Sequence, residues 1–183
     1  DHRDLHSFPT RRSSDLDINA EAAWGLHTGT SDVTIAIIDS GVDYTHPEFS
    51  GRIVPGYDFS DDDSDPFDGN VSGSHGTACA GIAAAAGNNG IGMAGVNWGA
   101  SIMPIRVADQ NGNFQASHVA DGIYFAVDSG AHVISLSVSL SQGTTYLEQA
   151  ITYAHLSDVL IFAARGNDDD TVDLYPSSYS DVI

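Results

Sequence analysis

Three residues that could carry base-assisted hydrolysis stand beside short apolar runs. Asp39 closes the β-branched run VTIAII (residues 33–38). His75 opens a stretch of small residues, GTACAGIAAAA. Asn167 follows IFAARG. An imidazole works best as a general base when a carboxylate holds its far nitrogen, because this fixes the tautomer and stabilises the imidazolium. A nearby side-chain amide can donate to a developing oxyanion. The small residues after His75 let a helix lie close to a sheet, which brings the ring within reach of Asp39. A lone aspartate at a strand end is ordinarily a turn residue, and a lone histidine is ordinarily structural; the three islands together carry the reading.

The elements that must position these groups follow from the pattern of apolar residues. Residues 33–38 read as a buried parallel strand. Further strands are expected at 101–107, 132–138 and 159–163, a weaker one at 52–59, and the start of another at 181–183. Helices are expected from Asp17 as N-cap through 24, over 76–86, over 115–129 where Val119, Ile123, Ala126 and Val127 recur at helical spacing, and over 145–156. Strands alternating with helices predict an α/β fold, a three-layer α/β/α sandwich with a mostly parallel sheet. Ligands of such sheets sit at the carboxyl ends of the strands. Asp39 and Asn167 both belong to that edge.

IIDSGVD, SHGTACAGI and AARGN, in that order, resemble the subtilase family of serine proteases, over nearly all of residues 17–183. The family's triad runs Asp, His, Ser along the chain. The resemblance makes Asp39 the orienting carboxylate, His75 the base and Asn167 the oxyanion donor of a serine endopeptidase acting on peptide or protein substrates. VISLSV (residues 133–138) resembles the strand that pairs with substrate backbone, and LYPSSYSDVI a segment leading into the next core strand. Ser137, Val138, Ser139, Ala164, Arg165 and Gly166 are therefore expected at the substrate. Ser139 stands where the family usually has glycine, and Arg165 where it has a small residue. Either could narrow the specificity pocket, or Arg165 could pair with Asp168, Asp169 and Asp170.

The family's nucleophile lies in a Gly-Thr-Ser-Met-like motif, and none occurs here. The 183 residues are thus expected to be the N-terminal part of a catalytic domain, incomplete at the C-terminus and inactive alone. Residues 1–16 resemble a translated sequencing adapter and are expected to be non-native or a disordered tail. The resemblance also implies a propeptide in the parent, an extracellular location and a structural calcium. AGNNGIGMAG resembles the family's calcium loop, with Asn89 and the carbonyls of Gly87, Ile91 and Met93 as ligands. Glu48 matches an aspartate ligand of the family. A second calcium site at Asp61, Asp63, Asp65 and Asp68 competes with a plain solvated loop. Cys79, four residues after His75, falls on the same helical face. It reads as a small buried hydrophobe, with sensitivity to mercurials as the family alternative.

Composition excludes other classes. There are 25 acidic residues against 6 arginines and no lysine, a net charge of −19. Such a surface repels nucleic acid and anionic membranes, so neither is an expected partner. The charge fits plain solubility, or a salty or calcium-containing medium that screens self-repulsion. One cysteine rules out an internal disulfide. No HxxxH or CxxC spacing points to zinc. The strand ending in Asp39 lacks the glycine loop of a nucleotide site. A catalytically inactive binding protein of the same fold is the remaining rival.

Overall fold

The computed structural model describes residues 18–69, 73–167 and 172–183. Five parallel strands form one sheet in the order β2-β3-β1-β4-β5. They are β1 (Thr34–Asp39), β2 (Tyr57–Asp58), β3 (Ser101–Arg106), β4 (Val133–Leu136) and β5 (Leu160–Ala163). The helices are α1 (Ala20–Trp24), α2 (His75–Ala84), α3 (Ala116–Asp128) and α4 (Thr145–Leu156). A 3₁₀ turn spans Pro47–Phe49. Asp17 lies outside the described residues, and Asn19 occupies the cap position of α1.

The sheet separates two apolar clusters, as a three-layer sandwich requires. Ile38, Ile105, Ile134 and Leu136 pack with Val119, Ile123, Leu147 and Ile151 of α3 and α4. Ile35, Ile37 and Ile102 pack with Ala80 and Ala84 of α2. Strand β1 is buried over five of its six residues. This is why its sequence is a continuous β-branched run rather than an alternating one.

Two expected strands differ from the sequence pattern. Between 52 and 59 only Tyr57–Asp58 pairs with β3, and Ile53 makes a single bridge to Ile102. Pro55, which has no N–H to donate, interrupts the ladder. Residues 181–183 form no strand. Even so, Ile183 N–H donates to Ile161 O at 2.9 Å, and Ala163 N–H donates to Ile183 O at 3.0 Å.

Helix α2 covers β1 and β3, but on the same face β5 leaves Leu160 and Phe162 exposed at 52% and 44%. A parallel sheet normally has both faces covered.

Candidate active site

Asp39 ends β1, the middle strand, and is 1% exposed. His75 is the first residue of α2, and its side chain is 47% exposed. The His75 Nδ1 lies 2.8 Å from Asp39 Oδ1 and 3.0 Å from Oδ2. A carboxylate can only accept, so Nδ1 carries the proton. The neutral ring therefore keeps its lone pair on Nε2. One end of the pair is buried and fixed, and the other is open to solvent.

The contact depends on how closely α2 meets the β1 loop. Gly76 N–H donates to Ser40 Oγ at 3.0 Å, and Asp43 N–H donates to Thr77 Oγ1 at 2.9 Å. Ser40 N–H donates to Asp39 Oδ1 at 2.7 Å, which holds the carboxylate in plane. Gly76 is required by proximity. A Cβ there would stand 2.1 Å from Gly41 O and 2.9 Å from Asp39 Cβ. Gly76→Ala is expected to push α2 off the loop and destabilise the chain by about 1–3 kcal/mol. Urea unfolding checks the stability. The His75 ring chemical shifts should move as the Nδ1 contact lengthens. An unchanged midpoint would mean that the helix slides without loss.

Asp68, which the sequence leaves between a second calcium site and a plain solvated loop, turns inward. Its Oδ2 accepts from Thr77 Oγ1 at 2.7 Å and Thr77 N–H at 3.2 Å. Ser40 Oγ lies 3.5 Å from the same oxygen. Burial raises the Asp68 carboxyl above its ordinary range, and the Thr77 hydrogen bonds oppose this. Asp68 thus braces the loop that holds Asp39. The other acidic residues of that loop also have local partners. Asp61 pairs with Arg106 at 2.9 Å, Asp63 Oδ1 accepts Asp65 N–H at 2.8 Å, and Asp65 Oδ1 accepts the Tyr44 hydroxyl at 2.7 Å. No three of these carboxylates bring ligand atoms together among the described residues.

Cys79 Sγ lies 3.9 Å from His75 Nδ1, beside the Ser137 hydroxyl. Burial raises its thiol above the ordinary value. The expected substrate segments do meet. Ala164 N–H donates to Leu136 O at 2.9 Å, continuing the β4–β5 ladder. A side chain at Gly166 would strike Leu174 Cδ1 at 2.7 Å and approach Ser139 Oγ at 3.4 Å. Val138 turns its side chain inward. It is 1% exposed and packs into the α3–α4 core, so only its backbone can face a ligand. Asn167 is exposed, four residues past the end of β5 at the sheet's carboxyl edge. Asp168, Asp169 and Asp170 lie outside the described residues.

The expected calcium residues converge in part. The Glu48 side chain is buried. Its Oε2 accepts Asn89 Nδ2 at 2.8 Å, and its Oε1 accepts Met93 N–H at 3.3 Å. A Cβ on Gly92 would fall 2.1 Å from Oε1, so the loop wraps the carboxylate closely. Asn89 Oδ1 accepts Ile91 N–H at 3.2 Å. Sharing a cation with Glu48 requires that this amide oxygen turn inward. The donor set, a carboxylate, an amide oxygen and loop carbonyls, suits a hard cation.

A buried carboxylate holding an imidazole at the carboxyl edge of a parallel α/β sheet defines a hydrolase-type base. The comparisons agree with that class. The subtilase family model, peptidase S8, matches residues 30–183, and the chain belongs to that family. It is 46% identical to the thermophilic serine proteinase of Bacillus sp. (strain AK1) over 88% of this chain and 39% of the relative. It is 44% identical to thermitase of Thermoactinomyces vulgaris over 96% of this chain and 62% of the relative. The crystal structure of fervidolysin from Fervidobacterium pennivorans superposes with TM-score 0.77 at 34% identity, covering 89% of this chain and 25% of that one. The chain spans less than two thirds of the length of each of these.

Proposed function

We propose that the full-length protein is a serine endopeptidase that cleaves peptide bonds through an acyl-enzyme. The observation that carries this is the 2.8 Å contact from His75 Nδ1 to Asp39 at the sheet edge. His75 Nε2 takes the proton of a serine hydroxyl contributed by sequence outside these 183 residues. The serine oxygen attacks the peptide carbonyl. Asn167 donates its amide to the oxyanion that forms. The imidazolium, stabilised by Asp39, then passes the proton to the leaving amine. Water repeats the sequence to release the acid. The backbone of residues 137–139 pairs with the peptide as an added strand, and residues 164–166 face it from the segment just past β5.

A serine-directed fluorophosphonate tests the reading. It is expected to label one serine of the full-length protein stoichiometrically and to leave the 183-residue chain unlabelled. An unlabelled, correctly folded full-length protein would identify an inactive scaffold. Asn167→Ala in the full-length protein is expected to lower kcat about 10²–10³-fold with little change in KM, a magnitude set by a fellow subtilase rather than by this structure. A loss confined to KM would place Asn167 in ground-state binding instead.

Glu48 and Asn89, with the main-chain oxygens of Gly87, Ile91 and Met93, are proposed to hold a structural calcium ion. Bound there, the ion supplies positive charge against a buried carboxylate. Chelation is then expected to lower the unfolding temperature by about 5–10 °C, and Glu48→Gln to abolish that difference. An unfolding temperature indifferent to chelation removes the site.

Export from the cell, after loss of a propeptide, is the proposed route. Its support is the net charge of −19 and 35% identity to the halolysin-like extracellular serine protease Nep of Natrialba magadii over 91% of this chain. No helix among the described residues is long and apolar enough to cross a membrane.

A further inference from the structure

His75 and Asp39 stand on segments 36 positions apart, so their contact requires α2 to meet the β1 loop in one register. Two hydrogen bonds cross that seam in opposite directions. Gly76 N–H of α2 donates to the Ser40 hydroxyl of the loop at 3.0 Å. Asp43 N–H of the loop donates to the Thr77 hydroxyl of α2 at 2.9 Å. Each bond needs a hydroxyl oxygen that accepts, so each hydroxyl must send its own proton elsewhere. Both protons have the same destination. Thr77 Oγ1 lies 2.7 Å from Asp68 Oδ2, and Ser40 Oγ lies 3.5 Å from that oxygen.

Thr77 N–H reaches Asp68 Oδ2 as well, at 3.2 Å. The N–H groups of the second and third residues of α2 thus find acceptors in Ser40 and Asp68, which lie outside the helix; an N-cap side chain ordinarily serves there. A carboxylate also suits the positive end of the helix dipole. The backbone delivers Asp68 to this place. Val42 N–H donates to Pro66 O at 3.0 Å. A Cβ on Gly41 would fall 2.7 Å from Pro66 O and 3.0 Å from Asp68 N, so the two segments lie in close contact. Asp68 is 3% exposed, and its Oδ1 has no donor among the described residues. Its hold on the seam passes through Oδ2 alone.

We propose that Asp68 is a positioning residue for the base: as an acceptor at Oδ2 it sets the direction of the Thr77 and Ser40 hydroxyls, which lock α2 to the β1 loop so that His75 Nδ1 meets Asp39. Without that acceptor, the Thr77 proton turns to a carbonyl of the preceding turn, the usual partner of a helical threonine, and the lone pairs of Oγ1 leave Asp43 N–H. The loop N–H then lacks its acceptor, and the seam loosens. The positioning is a property of these 183 residues. Its effect on rate rests on the protease reading above.

Asp68→Asn separates direction from charge. Thr77 N–H can only donate, so the amide turns its oxygen to that side and its NH2 to the Oδ1 side, where it displaces no donor. In the 183-residue chain, proton NMR is expected to show the His75 Nδ1 proton shifted downfield by the carboxylate in the unaltered chain and in Asp68→Asn. Asp68→Ala is expected to lose this resonance to solvent exchange. Should that variant unfold, Thr77→Val, which removes the hydroxyl, is expected to lose the resonance and Thr77→Ser to keep it. In the full-length protein Asp68→Ala is expected to lower kcat about 10²-fold with little change in KM, the loss that a displacement of about 1 Å causes. Asp68→Asn is expected to recover most of it. A folded Asp68→Ala or Thr77→Val that keeps the downfield proton overturns the proposal. An Asp68→Asn variant that loses the proton as completely as Asp68→Ala also overturns it, because charge rather than direction then holds the seam. A full-length protein that never turns over, with the proton pattern as expected, supports the positioning and rejects the protease reading alone.

Discussion

Asp39→Asn in the full-length protein is expected to lower kcat roughly 10⁴-fold while leaving the fold intact, the loss that a wrongly held imidazole causes in serine proteases of unrelated fold. The carboxylate now accepts from Nδ1 with both oxygens, at 2.8 and 3.0 Å. An amide offers one acceptor and one donor. The donor favours the tautomer with its lone pair on Nδ1, which leaves Nε2 protonated and useless as a base. Ser40 N–H can still donate to the amide oxygen, so the β1 loop keeps its shape. Steady-state kinetics and thermal unfolding together check this. A loss below about tenfold would make Asp39 a loop-forming residue and no more.

Arg106→Leu is expected to destabilise the chain by about 3–5 kcal/mol, because it strands a buried charge. Arg106 Nη1 donates to Asp58 Oδ2 at 2.6 Å and to Asp61 Oδ2 at 2.9 Å. The Asp58 side chain is 1% exposed and that of Arg106 10%. Burial pulls the guanidinium down, but Asp58 and Asp61 outweigh it and hold it above its ordinary value. Asp58 Oδ1 is occupied by Ser60 and Asp61 N–H groups, so an unpaired Oδ2 has no second donor in reach among the described residues. The double variant Asp58→Asn, Arg106→Leu should recover most of the loss, because it removes both charges and keeps Oδ1 for the Ser60 and Asp61 N–H groups. Denaturant midpoints of the two variants decide it. Equal losses in both would mean that packing, not charge, is at stake.

The local motifs were legible because their chemistry is local. Continuous β-branched residues marked β1, and small residues after His75 marked a helix that approaches it. What remained hidden was set by distant contacts. Asp68 sits in an acidic run that looks solvated, and only the folded chain shows it under Thr77. Cys79, by contrast, was legible beside His75 from their four-residue spacing on one helix. Val138 is different. Ile134, Leu136 and Val138 alternate toward the core, and the period of two already placed that side chain inward. The family likeness asks only its backbone to meet a substrate, which an inward side chain permits.

The uncovered face of β5 gives the net charge a second meaning. In these 183 residues, Leu160 and Phe162 stand exposed on an otherwise strongly anionic body. At low ionic strength, mutual repulsion keeps such molecules apart. Added salt shortens the reach of that repulsion to about 10 Å at 0.1 M. The same ions therefore relax repulsion within each 183-residue chain and lower the barrier to close approach between two of them.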